Sequence, residues 1–405
     1  MLLDLANQII YTEIAKTFIL TGGVSDVASG GGQKINSISK NGGDNMKRVS
    51  ALILALMFLF LASCGTDAAP ETTTEQANSA STDLKIDYET VKVPFKSVSS
   101  PLLLDGKLVM AVATEDRTET DRRYLISYDI GSGKYDNIFE STHELGDIQS
   151  IRFDGEWLIW NDCEIYNSAR NIYCMNYKTK EITQITKLGN DSAVGEPCIS
   201  DGVVFWDECF DIGGENTRSL IKAYDCTTKE TKTISEGGDN VCAGDGKAVF
   251  TVNKGGKTTL GVYDIASGKV TEFALGDGSY TLKDCAAGYA LYVETKDPSR
   301  GDSSQKTWII DLSDGKTAVA DIFPDGAKLF GDYAVSCTAS ALWFYKRDGG
   351  TLSIIDGLRD TNVADASFAG NNTVISVIKN VGSATSEGLV NETEMHIFDL
   401  NKLSV

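Results

Sequence analysis

One spacing constrains this chain more than any other feature: from about residue 100 onward a tight turn recurs at nearly even intervals. It stands at Asp105-Gly106, Asp154-Gly155, Asp201-Gly202, Asp245-Gly246, Gly288, Gly331-Asp332 and Gly370-Asn371, each between two short apolar runs. The intervals between the glycines are 49, 47, 44, 42, 43 and 39 residues, the length of a four-stranded propeller blade.

A second marker sits at a constant place in each unit: an apolar strand ends in Asp or Asn before a Gly-Lys or Thr-Lys turn. The copies are Tyr124–Asp129 before Gly133-Lys134, Tyr173–Asn176 before Thr179-Lys180, Ile221–Asp225 before Thr228-Lys229, Leu260–Asp264 before Gly268-Lys269, Trp308–Asp311 before Gly315-Lys316, and His396–Asp399. The sixth copy in chain order, Leu342–Tyr345, departs from the pattern with Lys346. Asp129, Asp225, Asp264, Asp311 and Asp399 are turn-forming residues, because Asp bonds its own following backbone and recurs wherever the turn does.

Turns of this kind between β-branched and aromatic runs are hairpin signals, so each unit reads as four antiparallel strands. Glu156-Trp157-Leu158-Ile159-Trp160 is apolar on both strand faces, as a blade covered by two neighbours requires. The seventh unit ends too soon for a full fourth strand, while Ile86–Val93 precedes the first unit as an orphan strand. The expectation is an all-β, seven-bladed β-propeller of four-stranded antiparallel blades over residues 84–405, closed by the N-terminal strand completing the last blade, which removes the free edges.

Ahead of the repeats stands Met46-Lys47-Arg48, an apolar run from Val49 to Phe60, and then Leu61-Ala62-Ser63-Cys64-Gly65. A basic start, an apolar core too short to span a bilayer and a small-residue cleavage site make a signal peptide. Leu61-Ala62-Ser63-Cys64 resembles the lipobox of bacterial lipoproteins, in which the Cys is diacylated on sulfur before cleavage leaves it as the first residue. By that resemblance Cys64 is the lipid site, and residues 46–63 are the lipoprotein signal peptide. Residues 1–45 are then an upstream segment ahead of the true start at Met46. Residues 64–83 are small and polar and form a flexible tether. Acyl chains on Cys64 would hold the domain on the extracytoplasmic face of the cell membrane.

The repeat region, about 320 residues, resembles the TolB-like and related WD40-like propeller families of bacteria, where strand, Asp, Gly-Lys turn and Ile-Thr strand recur. The resemblance is at fold level and implies no catalytic motif.

Charge excludes one class of partner. With 37 Lys plus Arg against 57 Asp plus Glu, the formal charge is −20, and such a surface repels a phosphate backbone, so no nucleic-acid partner is expected. Only His143 and His396 are available, which counts against a Ser-His-Asp triad, a multi-His metal centre or a His-based lyase. Gly255-Gly256-Lys257-Thr258 imitates the end of a phosphate loop, but Thr251 replaces the required Gly, so it reads as a hairpin turn. No cofactor, no metal and no catalytic residue is expected, and the domain reads as a monomer.

Eight cysteines follow Cys64. Cys198, Cys242 and Cys285 hold the same repeat position on three innermost strands and read as small buried residues. Face-packed sheets lie about 10 Å apart, too far for bridges among them. Cys163 and Cys209 end the second strands of successive blades and are the disulfide candidate.

The same rim carries the long loops and gathers the candidate ligand-binding residues Trp160, Asp162, Trp206, Asp207 and Glu208, with Glu115, Asp116, Glu164 and Asp211 nearby. Carboxylates beside Trp rings suit a sugar, a cationic peptide or a calcium ion. The functional expectation is a lipid-anchored extracytoplasmic propeller that binds a protein, peptide or glycan through its long-loop face without catalysis. The alternative is a carbohydrate-active hydrolase or lyase using paired rim carboxylates.

Overall fold

The computed structural model describes residues 88–399 and 402, apart from 96, 114–121, 165–169, 188–191, 211–217, 298–303, 323–325, 339–340, 349–350, 360–362, 370–371 and 381–390. The chain divides into two units, Met1–Asn78 and Ser79–Val405. The expected signal peptide, Cys64 and the tether lie outside the described residues, as do Glu115, Asp116, Asp211 and the Gly370-Asn371 turn.

The β-branched and aromatic runs form strands that group, in chain order, into separate antiparallel sheets. Blade 1 is β2 (Val98–Leu104), β3 (Lys107–Val112), β4 (Tyr124–Asp129) and β5 (Tyr135–Glu140). Blade 2 is β6 (Gly146–Phe153), β7 (Trp157–Glu164), β8 (Arg170–Asn176) and β9 (Ile182–Gln184). Blade 3 holds β10 (Ser192–Val194), β11 (Cys198–Ser200), β12 (Val203–Phe210), β13 (Arg218–Asp225) and β14 (Glu230–Glu236). Blade 4 is β15 (Gly238–Gly244), β16 (Lys247–Lys254), β17 (Lys257–Asp264) and β18 (Lys269–Gly276), and blade 5 is β19 (Ser279–Ala286), β20 (Tyr289–Thr295), β21 (Gln305–Asp311) and β22 (Thr317–Val319). Blade 6 is β23 (Lys328–Phe330), β24 (Tyr333–Thr338), β25 (Ala341–Asp348) and β26 (Thr351–Arg359). The last sheet runs β27 (Val363–Ala369), β28 (Asn372–Asn380), β29 (Asn391–Asp399) and then β1 (Tyr88–Val93), which pairs with β29 from Tyr88↔Phe398 to Val93↔Thr393.

The fold-class expectation, seven four-stranded antiparallel blades closed by the N-terminal strand, needs correction. Six sheets have four strands, one has five, and every sheet is open. In blade 3 the innermost position is split, with β10 and β11 both pairing with β12. The interruption is Gly195-Glu196-Pro197: Pro197 has no N–H to give to the ladder, and the Gly195 N–H donates instead to the Asp207 carbonyl at 2.9 Å. Elsewhere the same place carries a bulge, at Ser99/Leu102, Gln149/Arg152, Asp239/Cys242, Leu282/Asp284 and Val363/Asp365. A bulge turns the following side chains to the other face of the strand. It therefore decides which residues of each innermost strand look inward.

The core is a series of layers between neighbouring blades. Leu102, Val109 and Leu125 of blade 1 meet Leu158, Trp160 and Met175 of blade 2. Ile159, Ile172 and Cys174 of blade 2 meet Val204, Trp206 and Cys226 of blade 3. Val91, Met395 and Ile397 of the last sheet pack on Leu108, Met110 and Ile126 of the first. Among the described residues no helix is long and apolar enough to cross a membrane.

Both turn markers have a local cause. Asp105, Asp201 and Asp245 have φ near 50° and are followed by Gly at 72–75°, the pair of left-handed residues of a two-residue hairpin turn. At the second marker the Asp carboxylate closes the turn. Asp129 Oδ1 accepts from the N–H and hydroxyl of Ser132, both at 2.8 Å, and Asp264 does the same with Ser267 and Asp311 with Ser313. These bonds hold the carboxyls of Asp129, Asp264 and Asp311 below the usual carboxylate range. A depressed folded-state pKa stabilises the fold above the unfolded value of about 4, and the contribution is lost as pH falls through the folded value. Thermal unfolding between pH 5 and 3 is expected to show an acid limb that D129N/D264N/D311N flattens. The turn itself should survive, since Asn176 natively closes the equivalent turn by accepting from the Lys178 and Thr179 N–H groups.

Turn residues also tie one blade to the next. Asp154 Oδ2 accepts the Gly202 N–H at 2.7 Å, Ser200 Oγ accepts the Gly246 N–H at 2.9 Å, and Asp245 Oδ2 accepts the Ala287 N–H.

Candidate functional site

Four of the five residues expected at the rim are buried. Trp160 has no exposed surface and lies between blades 1 and 2, stacked on Tyr173 with ring centres 5.7 Å apart and near Phe139 at 5.2 Å. Trp206 lies between blades 2 and 3, and its Nε1–H donates to Glu208 Oε2 at 3.2 Å. Glu208 also pairs with Lys222 Nζ at 3.0 Å. Asp162 is fully buried and accepts from Ser141 Oγ at 2.5 Å, the Thr142 N–H at 3.0 Å and Thr142 Oγ1 at 2.9 Å. These groups form polar pins within interblade layers.

Asp207 goes elsewhere, for a reason of period. Along β12, Val204, Trp206 and Glu208 face one side and Val203, Phe205 and Asp207 the other. The first side packs on blade 2 and the second on blade 4. Asp207 therefore lines a cavity of about 770 Å³ bordered by the innermost strands of successive blades. Arg152, Glu196, Asn240, Asp284 and Lys328 line it too. Arg152 Nη2 stands 3.8 Å from Glu196 Oε2, and Lys328 Nζ 3.6 Å from Asp284 Oδ1, while Asp284 Oδ2 accepts the Leu329 N–H at 2.7 Å.

Two features of the cavity are unusual for a packed interior. Burial, and next the Asp239 carboxylate, push Asp207 up to about 6. Its carboxylate rests on Gly195, where a Cβ would collide with it. Ser367, on β27, is 3% exposed and lines the same cavity, and its Oγ has no hydrogen-bond partner among the described residues. A buried polar atom without a partner is costly unless something else bonds it.

Cys198, Cys242 and Cys285 lie on β11, β15 and β19 and also border the cavity. Burial raises all three, Cys242 to about 12, so they stand as thiols rather than thiolates. Cys163 and Cys209 are free thiols on β7 and β12, and burial raises both, Cys163 to about 12. His396 is buried and stacks on Tyr88 at 4.6 Å. His143 lies beside Asp162, 3.9 Å from Oδ2, and 3.4 Å from Asn171 Nδ2. Gly255 and Gly256 form the hairpin turn between β16 and β17. Among the described residues no group of three or more His, Cys, Asp and Glu side chains is placed to hold a metal ion.

Arg152, Glu196, Asn240, Asp284 and Lys328 were missed by the sequence reading. Their signal was present as charged or amide residues interrupting apolar innermost strands, but the bulge that aims them is not legible in a period of two.

The fold and the channel define a β-propeller with a central cavity. No family model matches the sequence, and no curated protein matches it. Among solved structures the chain is similar to an oligogalacturonate lyase in complex with manganese, with a TM-score of 0.50, 11% identity, and coverage of 79% of this chain and 98% of that one. It is also similar to a prolyl endopeptidase (TM-score 0.42, 13% identity, 62% of this chain), of which it spans 40%. TolB from Acinetobacter baumannii matches with a TM-score of 0.36 and 12% identity over 74% of this chain and 79% of that one. At these identities the likeness is one of fold alone.

Proposed function

We propose that this chain is a lipid-anchored, extracytoplasmic propeller that binds a short glycan in its central channel. The carrying observation is the cavity itself: about 770 Å³ where charged groups of both signs converge from several blades and the Ser367 hydroxyl has no partner among the described residues. The size is that of a small-molecule site, too confined for a folded partner. Carboxylates and guanidinium groups suit the paired hydroxyls of a sugar. Of the five rim candidates, Asp207 lines the cavity and the other four are buried.

Calorimetric titration of the full chain with neutral and uronate-containing oligosaccharides tests this reading. Saturable binding that weakens tenfold or more in Arg152→Ala or Ser367→Val supports it, and no heat with either class counts against it. The anchor has its own test: Cys64→Ala should move the protein from the membrane fraction to the soluble fraction and remove palmitate labelling.

One observation favours a second reading, in which the channel cleaves the glycan. Asp207, at about 6, is poised as a general base near neutral pH, and a lyase with this fold acts on oligogalacturonate. Elimination from a uronate would then rise with pH through about 6 and vanish in Asp207→Asn, followed by the ultraviolet absorbance of the unsaturated product.

Asp207→Asn has a further expected outcome. The folded-state value lies above the unfolded value of about 4, so the acid favours folding at low pH and loses that contribution as pH rises through about 6. The variant should be more stable than the parent by on the order of 2 kcal/mol at pH 8 and equal to it near pH 3, measured by urea unfolding. A site residue that costs stability is the expected mark of function.

A further inference from the structure

Outside the channel, the chemistry left unexplained is a pair of buried thiols between blades 2 and 3. Cys174 lies on β8 and Cys226 directly follows β13. They are 1% and 2% exposed, share one packed layer, and hydrogen-bond to each other. Face-to-face blades normally stand too far apart for a bridge, but Cys226 sits beside a turn that is hydrogen-bonded to blade 2. Asp154 Oδ2 of blade 2 accepts the Gly202 N–H at 2.7 Å, and the Gly202 carbonyl accepts the Cys226 N–H at 2.9 Å. An added Cβ on Gly202 would lie 3.6 Å from Trp157 Nε1. Lys229 Nζ, three residues beyond Cys226, reaches Glu181 Oε1 of the preceding blade at 2.7 Å.

We infer that Cys174 and Cys226 form a disulfide that locks blade 2 to blade 3 when the chain folds in an oxidising compartment. This rests on the export reading above. The oxidant is a protein dithiol–disulfide carrier. One of the two cysteine thiolates attacks a carrier sulfur to give a mixed disulfide, expelling the carrier's other sulfur as thiolate. The other cysteine, losing its proton, then attacks the sulfur of the first and expels the second carrier thiolate. Two electrons pass to the carrier, which takes up the two protons as a dithiol. In the closed layer the Cys226 thiol donates its hydrogen to Cys174, lowering Cys174 and raising Cys226. Since both sulfurs are buried in the finished layer, exchange has to precede its closure.

Refolding the full chain in mixed oxidised and reduced glutathione, blocking residual thiols under denaturing conditions and mapping the peptides tests the pairing without depending on export. The expected product is a linked peptide pair containing Cys174 and Cys226, two hydrogens lighter than the reduced pair. Reduction should lower Tm by about 5 °C, and C174S/C226S should be indifferent to reductant. Folded protein with both thiols alkylated, or with either linked to another cysteine such as Cys163 or Cys209, overturns the inference. The same map of chain recovered from the cell envelope separates the two readings. A link formed in vitro but absent there overturns the export reading rather than the pairing geometry.

Discussion

Asp162→Ala is expected to lower the free energy of unfolding by about 4 kcal/mol, because it removes the acceptor from a fully desolvated site. The carboxylate has no exposed surface and takes three hydrogen bonds from Ser141 and Thr142. Without it, a hydroxyl, a backbone N–H and a second hydroxyl are stranded in the interior. Those donors belong to the connection between blade 1 and blade 2, so the loss should also free that connection. Asp162→Asn keeps the shape and one accepting oxygen and should cost about half as much. Urea unfolding of the two variants gives the comparison. A stable Asp162→Ala protein that had lost an activity would instead restore the rim-carboxylate enzyme and remove the pin described here.

Trp160→Ala should be comparably severe, at about 4 kcal/mol, and Trp160→Phe mild, at about 1 kcal/mol. The alanine variant leaves a cavity where the indole fills the layer between blades 1 and 2 against Tyr173 and Phe139. The phenylalanine variant keeps an aromatic ring there and sacrifices no hydrogen bond, since Trp160 Nε1 has no partner among the described residues. Glycan affinity should be unchanged in the phenylalanine variant, whereas a Trp platform under a sugar would lose binding in both. Thermal unfolding together with calorimetric titration distinguishes the two.

Much of the architecture was legible because its causes are local. The Asp-Gly pairs specify left-handed φ values within two residues, and Asp129, Asp264 and Asp311 at the ends of their third strands cap their own turns. Apolar runs on both strand faces announce sheets covered on both sides, as β7 shows. The split innermost strand of blade 3 was less legible. Pro197 marked it, but the repeat pattern promised a strand there.

The candidate site was legible only in part, and the failure has a definite cause. Trp160 with Asp162 and Trp206-Asp207-Glu208 read together as one rim cluster, yet a strand sends neighbours to opposite faces. Trp206 and Glu208 went together into one interblade layer, and Asp207 alone turned toward the channel. Acidic residues near long loops look alike in sequence whether they meet solvent or a Thr142 N–H.

By itself, then, the sequence determined the repeat period, the turns, the strand content and the residues able to carry chemistry, all of which depend on interactions spanning a few positions. Only the tertiary structure decided which charged groups line the channel and which Trp rings are buried. It also decided which two thiols meet, across the 52 positions from Cys174 to Cys226. Those outcomes depend on how one blade seats against the next, which no single repeat encodes, and on bulges that reverse the facing of the innermost strands and do not show in a period of two.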